Sequence, residues 1–293
     1  MRLLRGRAGI LLAGALLIGG LAACAGPSVA GSGSPAGTGT IVVSPEPPTS
    51  CPKNATTPGA GPAVLAPTDQ PMITVTQGTN SWVASDLTQP FAIAVYPDGT
   101  AIRAEDQGLG SESLPEMTIG RLDDCHLHEA ITGIQQLVGA DLGEATVTDQ
   151  GTTSITLRQG DSEVVLDVYA LGVGDELVQP DQRAARLRLT TLIESLSAGM
   201  TQTASWEPDR LRVSAYGTPV DVAGGTTWPL AGTISDALDQ GGRRPCGILS
   251  GAEVDAITDA LGSGPATDEW TDGTQTVVLA IGVLVPGQDC SPT

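Results

Sequence analysis

The 293-residue sequence has few basic and few aromatic side chains. It contains 14 lysines and arginines against 33 aspartates and glutamates, and aromatic residues make up 3% of it. Lys53 is its only lysine, and Arg243 and Arg244 are its only adjacent basic residues. Proteins that bind nucleic acid neutralise phosphates with clustered Lys and Arg, so we expect no nucleic-acid partner. The same shortage argues against peripheral docking on anionic lipid headgroups.

Recognisable catalytic motifs are also missing. The sequence has no Gly-x-Ser-x-Gly pattern, and with only His126 and His128 a Ser-His-Asp triad would have to form at one place. Gly172-Val-Gly174 begins like a nucleotide-binding loop, but it lacks the third glycine and precedes acidic residues that repel phosphate. The segment Asp268-Glu-Trp-Thr-Asp272-Gly lacks EF-hand spacing and predicts a turn before the final strand. We therefore expect neither enzyme activity nor a cofactor.

The first 23 residues have the layout of a bacterial lipoprotein signal peptide. Three arginines precede an apolar stretch at 8–22. This stretch is shorter than the roughly 20 apolar residues of a membrane-spanning helix, so we expect it to be cleaved. Leu21-Ala-Ala-Cys24 resembles a lipobox, in which the cysteine is lipidated and becomes the new N-terminus. The alternative is a secreted protein with a chance cysteine near its cleavage site.

These features predict an extracytoplasmic, lipid-anchored protein. Acyl chains such as palmitate on Cys24 would hold it on the cell membrane. Without 1–23 the chain has 11 basic and 33 acidic residues, a net charge of −22. Residues 24–68 are rich in Gly, Ser, Pro and Thr and predict a flexible tether, because such a segment buries too little apolar surface to fold.

Four further cysteines predict two disulfides, since thiols pair in an oxidising compartment. They are Cys51, Cys125, Cys246 and Cys290. Four cysteines allow three connectivities. Sequence distance and the domain division given below favour Cys51 with Cys125 and Cys246 with Cys290.

Residues 69–200 predict an α+β domain. Two hairpins turn at Pro97-Asp-Gly99 and Gln159-Gly-Asp161, a short strand precedes them at 72–75, and each hairpin is followed by an amphipathic helix. The first helix ends at Gly139 and the second runs from Pro180 to Gly199. The order is ββαββα, an antiparallel sheet with two helices on one face.

Residues 201–293 predict a smaller α+β C-terminal domain. A strand at 210–216 is followed by a helix capped by Thr233 and by a helix with a Ser250-x-x-Glu253 capping box. The segment 274–285 predicts a long central strand. A core of this size is marginal, so we expect the nearby cysteine pair to support it.

The densest polar cluster is residues 123–129, which contain both histidines. Side chains two positions apart on a helix point about 200° apart, so His126 and His128 cannot share one metal ion. The remaining pairs supply two ligands where zinc takes at least three. We interpret the cluster as an acidic N-cap, at Asp123 or Asp124, followed by solvated histidines.

The four tryptophans allow two interpretations. An exposed tryptophan in a loop can anchor a partner. The interpretation we favour is that they fill the seam between the two predicted domains, because the smaller one has few other large apolar side chains. They are Trp82, Trp206, Trp228 and Trp270.

The order of these features resembles uncharacterised actinobacterial lipoproteins and secreted proteins over residues 70–290. It consists of the lipobox, the tether, Tyr96-Pro-Asp-Gly-Thr, the Cys125 helix, Asp149-Gln-Gly-Thr-Thr, Pro245-Cys-Gly and Val285-Pro-Gly-Gln-Asp-Cys290. No activity is established for that group, so it assigns no functional residue. We expect a non-enzymatic module that binds an envelope protein or wall component. The alternatives are an extracytoplasmic enzyme using carboxylate or metal chemistry, and a carrier with an apolar cavity.

Overall fold

The fold is α+β, as predicted. A computed structural model describes residues 70–77, 91–105, 113–220, 225–238, 245–262, 264 and 266–290. A first sheet has seven antiparallel strands. They are β1 (Ile73–Gln77), β2 (Phe91–Val95), β3 (Thr100–Ala104), β4 (Met117–Arg121), β5 (Thr152–Gln159), β6 (Ser162–Tyr169) and β7 (Thr201–Ser205).

The first sheet contains two strands that the sequence analysis did not predict. Its spatial order is β6-β5-β1-β2-β3-β4-β7. Helix α1 (Asp124–Leu137) follows four strands, and α2 (Pro180–Ala198) is followed by β7. The predicted order ββαββα therefore lacks β4 and β7. The sequence of β7, Thr-Gln-Thr-Ala-Ser, has no apolar alternation because this strand lies at the edge of the sheet.

Both helices of this region contribute to one core. Apolar side chains at helical spacing on α1 and α2 pack with inward-facing side chains of β1, β2, β5 and β6. Each fully buried Leu or Ile stabilises the fold by about 1.5–3 kcal/mol. The helical contributors are Ala130, Ile134, Leu137, Ala185, Leu189, Leu192, Ile193 and Leu196.

Arg186 is a fully buried charge on the inner side of α2. Its Nε donates to Asp175 Oδ1 at 2.6 Å. Its Nη1 donates to Leu142 O at 3.2 Å, and its Nη2 donates to Tyr169 O at 2.9 Å and Ala170 O at 2.6 Å. Arg186 thus joins the helix to the loop after α1, to the end of β6 and to the short 3₁₀ helix that begins at Asp175.

A second sheet contains five strands. They are β8 (Arg210–Val220), β9 (Thr226–Thr227), β10 (Cys246–Ser250), β11 (Thr267–Thr271) and β12 (Thr276–Val283), in the order β10-β8-β12-β11-β9. Pairing is antiparallel except between β9 and β11. Helices α3 (Ile234–Ala237) and α4 (Ala252–Leu261) contribute Ile234, Val254 and Ile257 to its core.

The N-terminal residues of α3 and α4 can be compared with the predicted N-caps, Thr233 and Ser250. The Thr233 side chain accepts a hydrogen bond from the Asp236 N–H, so its cap is confirmed. The Ser250 cap is wrong, because α4 begins one residue later and its N-cap is Gly251, which has no side chain to accept a bond. The Glu253 carboxylate still accepts a bond from the Ser250 N–H at 3.2 Å.

The segment after β12 reaches the first sheet. Val285 is buried against Ala94, Tyr96 and Met117, and the Tyr96 hydroxyl donates to Pro286 O at 3.0 Å. Cys290 then forms a disulfide with Cys246 at the start of β10, with 5.9 Å between the Cα atoms. This predicted pairing is confirmed.

Asp272 fixes the turn between β11 and β12. The turn predicted at 268–273 is confirmed at Asp272 and Gly273 and is wrong for 268–271, which belong to β11. Its Oδ2 accepts the Ile234 N–H at 2.9 Å, and its Oδ1 accepts the Thr274 hydroxyl at 2.6 Å and the Gln275 N–H at 3.1 Å. Burial alone would raise the pKa of this carboxyl, but these bonds and one from the Thr274 N–H hold the pKa well below its usual range.

We expect Asp272→Asn to lower the free energy of unfolding at pH 7 by about 2 kcal/mol, the size typical of hydrogen bonds to a charged group. A carboxyl with a lowered pKa in the folded state stabilises the fold fully above its unfolded pKa and loses this contribution as the pH falls toward the folded pKa. The difference between wild type and variant should therefore shrink below about pH 4. Urea unfolding from pH 7 to pH 2 measures it.

Asp259→Asn is the matched control, because Asp259 is exposed on α4 and its replacement removes the same charge. It should leave the stability within about 0.5 kcal/mol of wild type. A deficit for Asp272→Asn that stays constant from pH 7 to pH 2 would contradict the role given to the ionised carboxylate.

Candidate functional site

Several predicted site residues lie outside the described residues. These are Cys24, Cys51 and Trp82, together with the signal peptide and the tether. Cys125 is exposed in the first turn of α1 and is disulfide-bonded. In the part of the chain that the structure describes, no helix is both long and apolar enough to cross a membrane.

The cluster at 123–129 forms the predicted helix cap. Asp123 is the N-cap of α1, and its Oδ1 accepts the His126 N–H at 2.9 Å and lies 2.9 Å from His126 Nδ1. The hydrogen bond from the His126 backbone is the largest cause that lowers the pKa of Asp123. His128 is exposed. Within the described ranges, no three His, Cys, Asp or Glu side chains are grouped to hold a metal ion.

The described tryptophans occupy two environments. Trp228 and Trp270 are buried in the core of the second sheet, with ring centroids 5.8 Å apart and planes at 83°. The seam prediction is wrong for these two, because they build the core of one sheet. Trp206 is half-buried against a cluster that includes Tyr96, Met117 and Val285, so it lies where the first sheet meets the segment after β12.

An open groove lies beside Trp206, where β3 ends, β4 begins and β7 ends. Its volume is about 490 Å³. We call it the Trp206 groove. It is lined by Glu105, Pro115, Glu116, Met117, Thr118, Ser205, Trp206, Glu207 and Pro208.

Strand pairing aligns three glutamates in the Trp206 groove. The Glu105 N–H donates to Glu116 O at 2.8 Å, so these two residues are neighbours across β3 and β4. Thr118 pairs with Ser205, which places Glu207 next to Glu116 across β4 and β7. Neighbouring strands lie about 5 Å apart, so three carboxylates share one rung of the sheet.

The three carboxylates differ in their partners. Arg103 Nη2 lies 2.8 Å from Glu105 Oε1, and its Nη1 donates to Ser197 O at the end of α2. The bonds from Arg103 and from the Thr118 hydroxyl lower the pKa of Glu105. Glu116 and Glu207 are exposed, and their carboxylates have no hydrogen-bond or ion-pair partner among the residues that the structure describes. Two uncompensated negative charges therefore face the groove.

This arrangement is suited to binding a cation. General acid catalysis needs a carboxyl whose pKa is raised toward neutrality. In the described part of the chain, every carboxyl with a shifted pKa has it lowered; they are Glu105, Asp123, Asp141, Asp236 and Asp272. Of these groups only Glu105 lines the groove, and its lowered pKa keeps its carboxylate ionised at neutral pH.

The glutamates of the groove were not identified from the sequence. Glu116 precedes β4 and Glu207 follows β7, the two strands that apolar periodicity did not reveal, whereas Glu105 follows β3. Only the pairing register brings the three together. Thirty-three acidic residues offered no way to select three of them.

No protein-family model, no curated protein and no solved structure matches the chain.

Proposed function

We propose that this chain is a lipid-anchored, extracytoplasmic envelope protein whose folded body is a non-enzymatic binding module. Cys24 carries the anchor, residues 24–68 form the tether, and the partner is an envelope protein or a wall component. The membrane is contacted through the acyl chains alone, because a chain of net charge −22 is repelled by anionic headgroups.

The anchor is supported by three agreeing features of the N-terminus. The arginines, the short apolar stretch and Leu21-Ala-Ala-Cys24 follow one another in the order that lipoprotein processing requires. Two or three acyl chains on one cysteine anchor stably, since each buried methylene contributes about 0.8 kcal/mol.

The observation that carries the binding role is the Trp206 groove. It places two exposed carboxylates, which lack partners in the described structure, on the face of the sheet that also carries Thr118 and Ser205. Opposed like charges on adjacent strands destabilise a sheet. Their presence at one rung is therefore better explained by a ligand than by the stability of the fold.

The anchor and the binding role are tested in cells with two versions of the chain. In both versions a photo-reactive amino acid replaces Ser205; one version keeps Cys24 and the other carries Cys24→Ala. With Cys24 present, the chain should fractionate with the membrane. With Cys24→Ala it should lose acylation and leave the membrane fraction, because the acyl chains on Cys24 are the proposed anchor. Membrane association of the Cys24→Ala chain at the level of the parent, with its signal peptide normally processed, would overturn the anchor.

Irradiation of the anchored chain should give discrete adducts through residue 205. The control carries the photo-reactive residue at Leu187, which is 64% exposed on α2 and does not line the groove. Adducts at 205 and none at 187 support binding in the groove. Equal labelling at both positions, or none at 205, would overturn the binding role.

A further inference from the structure

The outer edge of β7 offers main-chain groups for pairing. β7 is the last strand on its side of the first sheet, and no strand of the described chain pairs with its outer edge. Residues 203–205 are exposed. An exposed edge strand carries free N–H and C=O groups, and these pair readily with another extended chain.

The pairing with β4 shows which groups face outward. The Trp206 N–H donates to Met117 O at 2.9 Å, so the backbone of Trp206 points toward β4. Successive residues of an antiparallel strand direct their N–H and C=O groups to opposite sides. The N–H and C=O of Ser205 therefore point away from the sheet, beside the Trp206 groove.

The charge of the groove selects the side chains of an occupant. A chain that pairs with β7 places alternate side chains on the face that carries Ser205, Thr118 and the glutamates. Glu116 and Glu207 lie on that face without a partner in the described residues. Lysine and arginine are the complementary side chains.

We propose that β7 binds an extended basic peptide as an additional strand, with a lysine or arginine of the peptide in the Trp206 groove. This inference rests on the proposed binding function and names its ligand class. Main-chain hydrogen bonds to β7 supply affinity, and the carboxylates supply the preference for basic side chains. Binding weakens as salt rises, because the carboxylates are exposed.

The probe is a synthetic heptapeptide of alternating Thr and Lys, acetylated at its N-terminus and amidated at its C-terminus. It is titrated into the mature chain, and binding is measured by the change in tryptophan fluorescence. Ser205→Pro removes the outward N–H at an edge position that tolerates proline and should weaken binding about fivefold. Ser205→Ala keeps this N–H and should bind like wild type. Glu116→Gln with Glu207→Gln should weaken binding about tenfold and flatten its salt dependence.

A second probe leaves the protein unchanged. The same peptide with N-methyl groups on all of its backbone amides has no main-chain donor on either edge, so it cannot pair as a strand and should not bind. The comparison of the two peptides tests strand addition even if Ser205→Pro fails to fold. Equal binding of the N-methylated peptide, with weaker binding by the double Gln variant, would show ionic association only and overturn strand addition.

The outcome for the peptide is separable from that for the proposed function. If the Thr-Lys peptide does not bind but residue 205 gives photo-adducts in cells, strand addition fails and the binding module stands. If neither result is obtained, both fail. Binding of a matched Thr-Glu peptide with equal affinity would also overturn the inference, because the groove would then not select basic side chains.

Discussion

Arg186→Met is expected to lower the free energy of unfolding by about 3–5 kcal/mol, the cost of breaking a buried charge pair by removing one partner. The substitution keeps an unbranched apolar stem but leaves the carboxylate of Asp175 and the carbonyls of Leu142, Tyr169 and Ala170 without their donor. Each buried acceptor left unpaired costs about 1–3 kcal/mol. Guanidinium chloride unfolding measures the loss.

Arg183→Met is the matched control. Arg183 lies one turn earlier on α2 and donates to the carbonyls of Asp175 and Glu176, but it is exposed. Water can replace its bonds, so the loss should stay below about 1 kcal/mol. Arg186→Lys should remain strongly destabilised, because one ammonium group cannot reproduce the planar fork. Equal stability of Arg186→Met and wild type would contradict the conclusion that the hydrogen bonds of Arg186 hold α2 to the neighbouring segments.

Replacing Cys246 and Cys290 by Ala is expected to lower the free energy of unfolding by about 4 kcal/mol. The bond closes a loop with a sequence separation of 44, and the chain-entropy model gives a closure of this length about 4 kcal/mol. The folded state also loses the attachment of the segment that buries Val285 and bonds Tyr96. Denaturant unfolding of the double variant measures the loss.

Cys51→Ala with Cys125→Ala is the comparison. If these two cysteines pair as the sequence predicts, their bond fastens the tether to α1, and losing it should destabilise the folded body less. Peptide mapping of the unreduced chain should recover a Cys246–Cys290 fragment and a Cys51–Cys125 fragment. A fragment joining Cys51 to Cys246 would refute this connectivity.

Local signals in the sequence predicted the parts of the fold that local chemistry determines. Gly99 has φ of 83° in the first hairpin, and the Tyr96 N–H donates to Thr100 O across it. Gln159 pairs with Ser162 in the second hairpin. Asp123 caps α1 because its carboxylate reaches the free N–H groups of the first turn. Each of these features depends on residues within a few positions of one another.

Features that depend on distant residues were not accessible in this way. β7 is recognisable only when β4 lies beside it, and the partners of Arg186 come from three separate segments. The Trp206 groove needs both unpredicted strands. The pair of Cys246 and Cys290 is the exception, because four cysteines allow only three connectivities and the predicted domain division favoured one of them.

If the chain is exported as proposed, the contact between Tyr96 and Pro286 determines the order in which its two sheets are completed. The two residues are separated by 190 positions. A chain that crosses the membrane N-terminus first leaves Ala94 and Tyr96 uncovered until the segment with Val285 has emerged on the far side. In that case the first sheet is completed only after the second has crossed the membrane, and Ala94 and Tyr96 stay exposed during that interval.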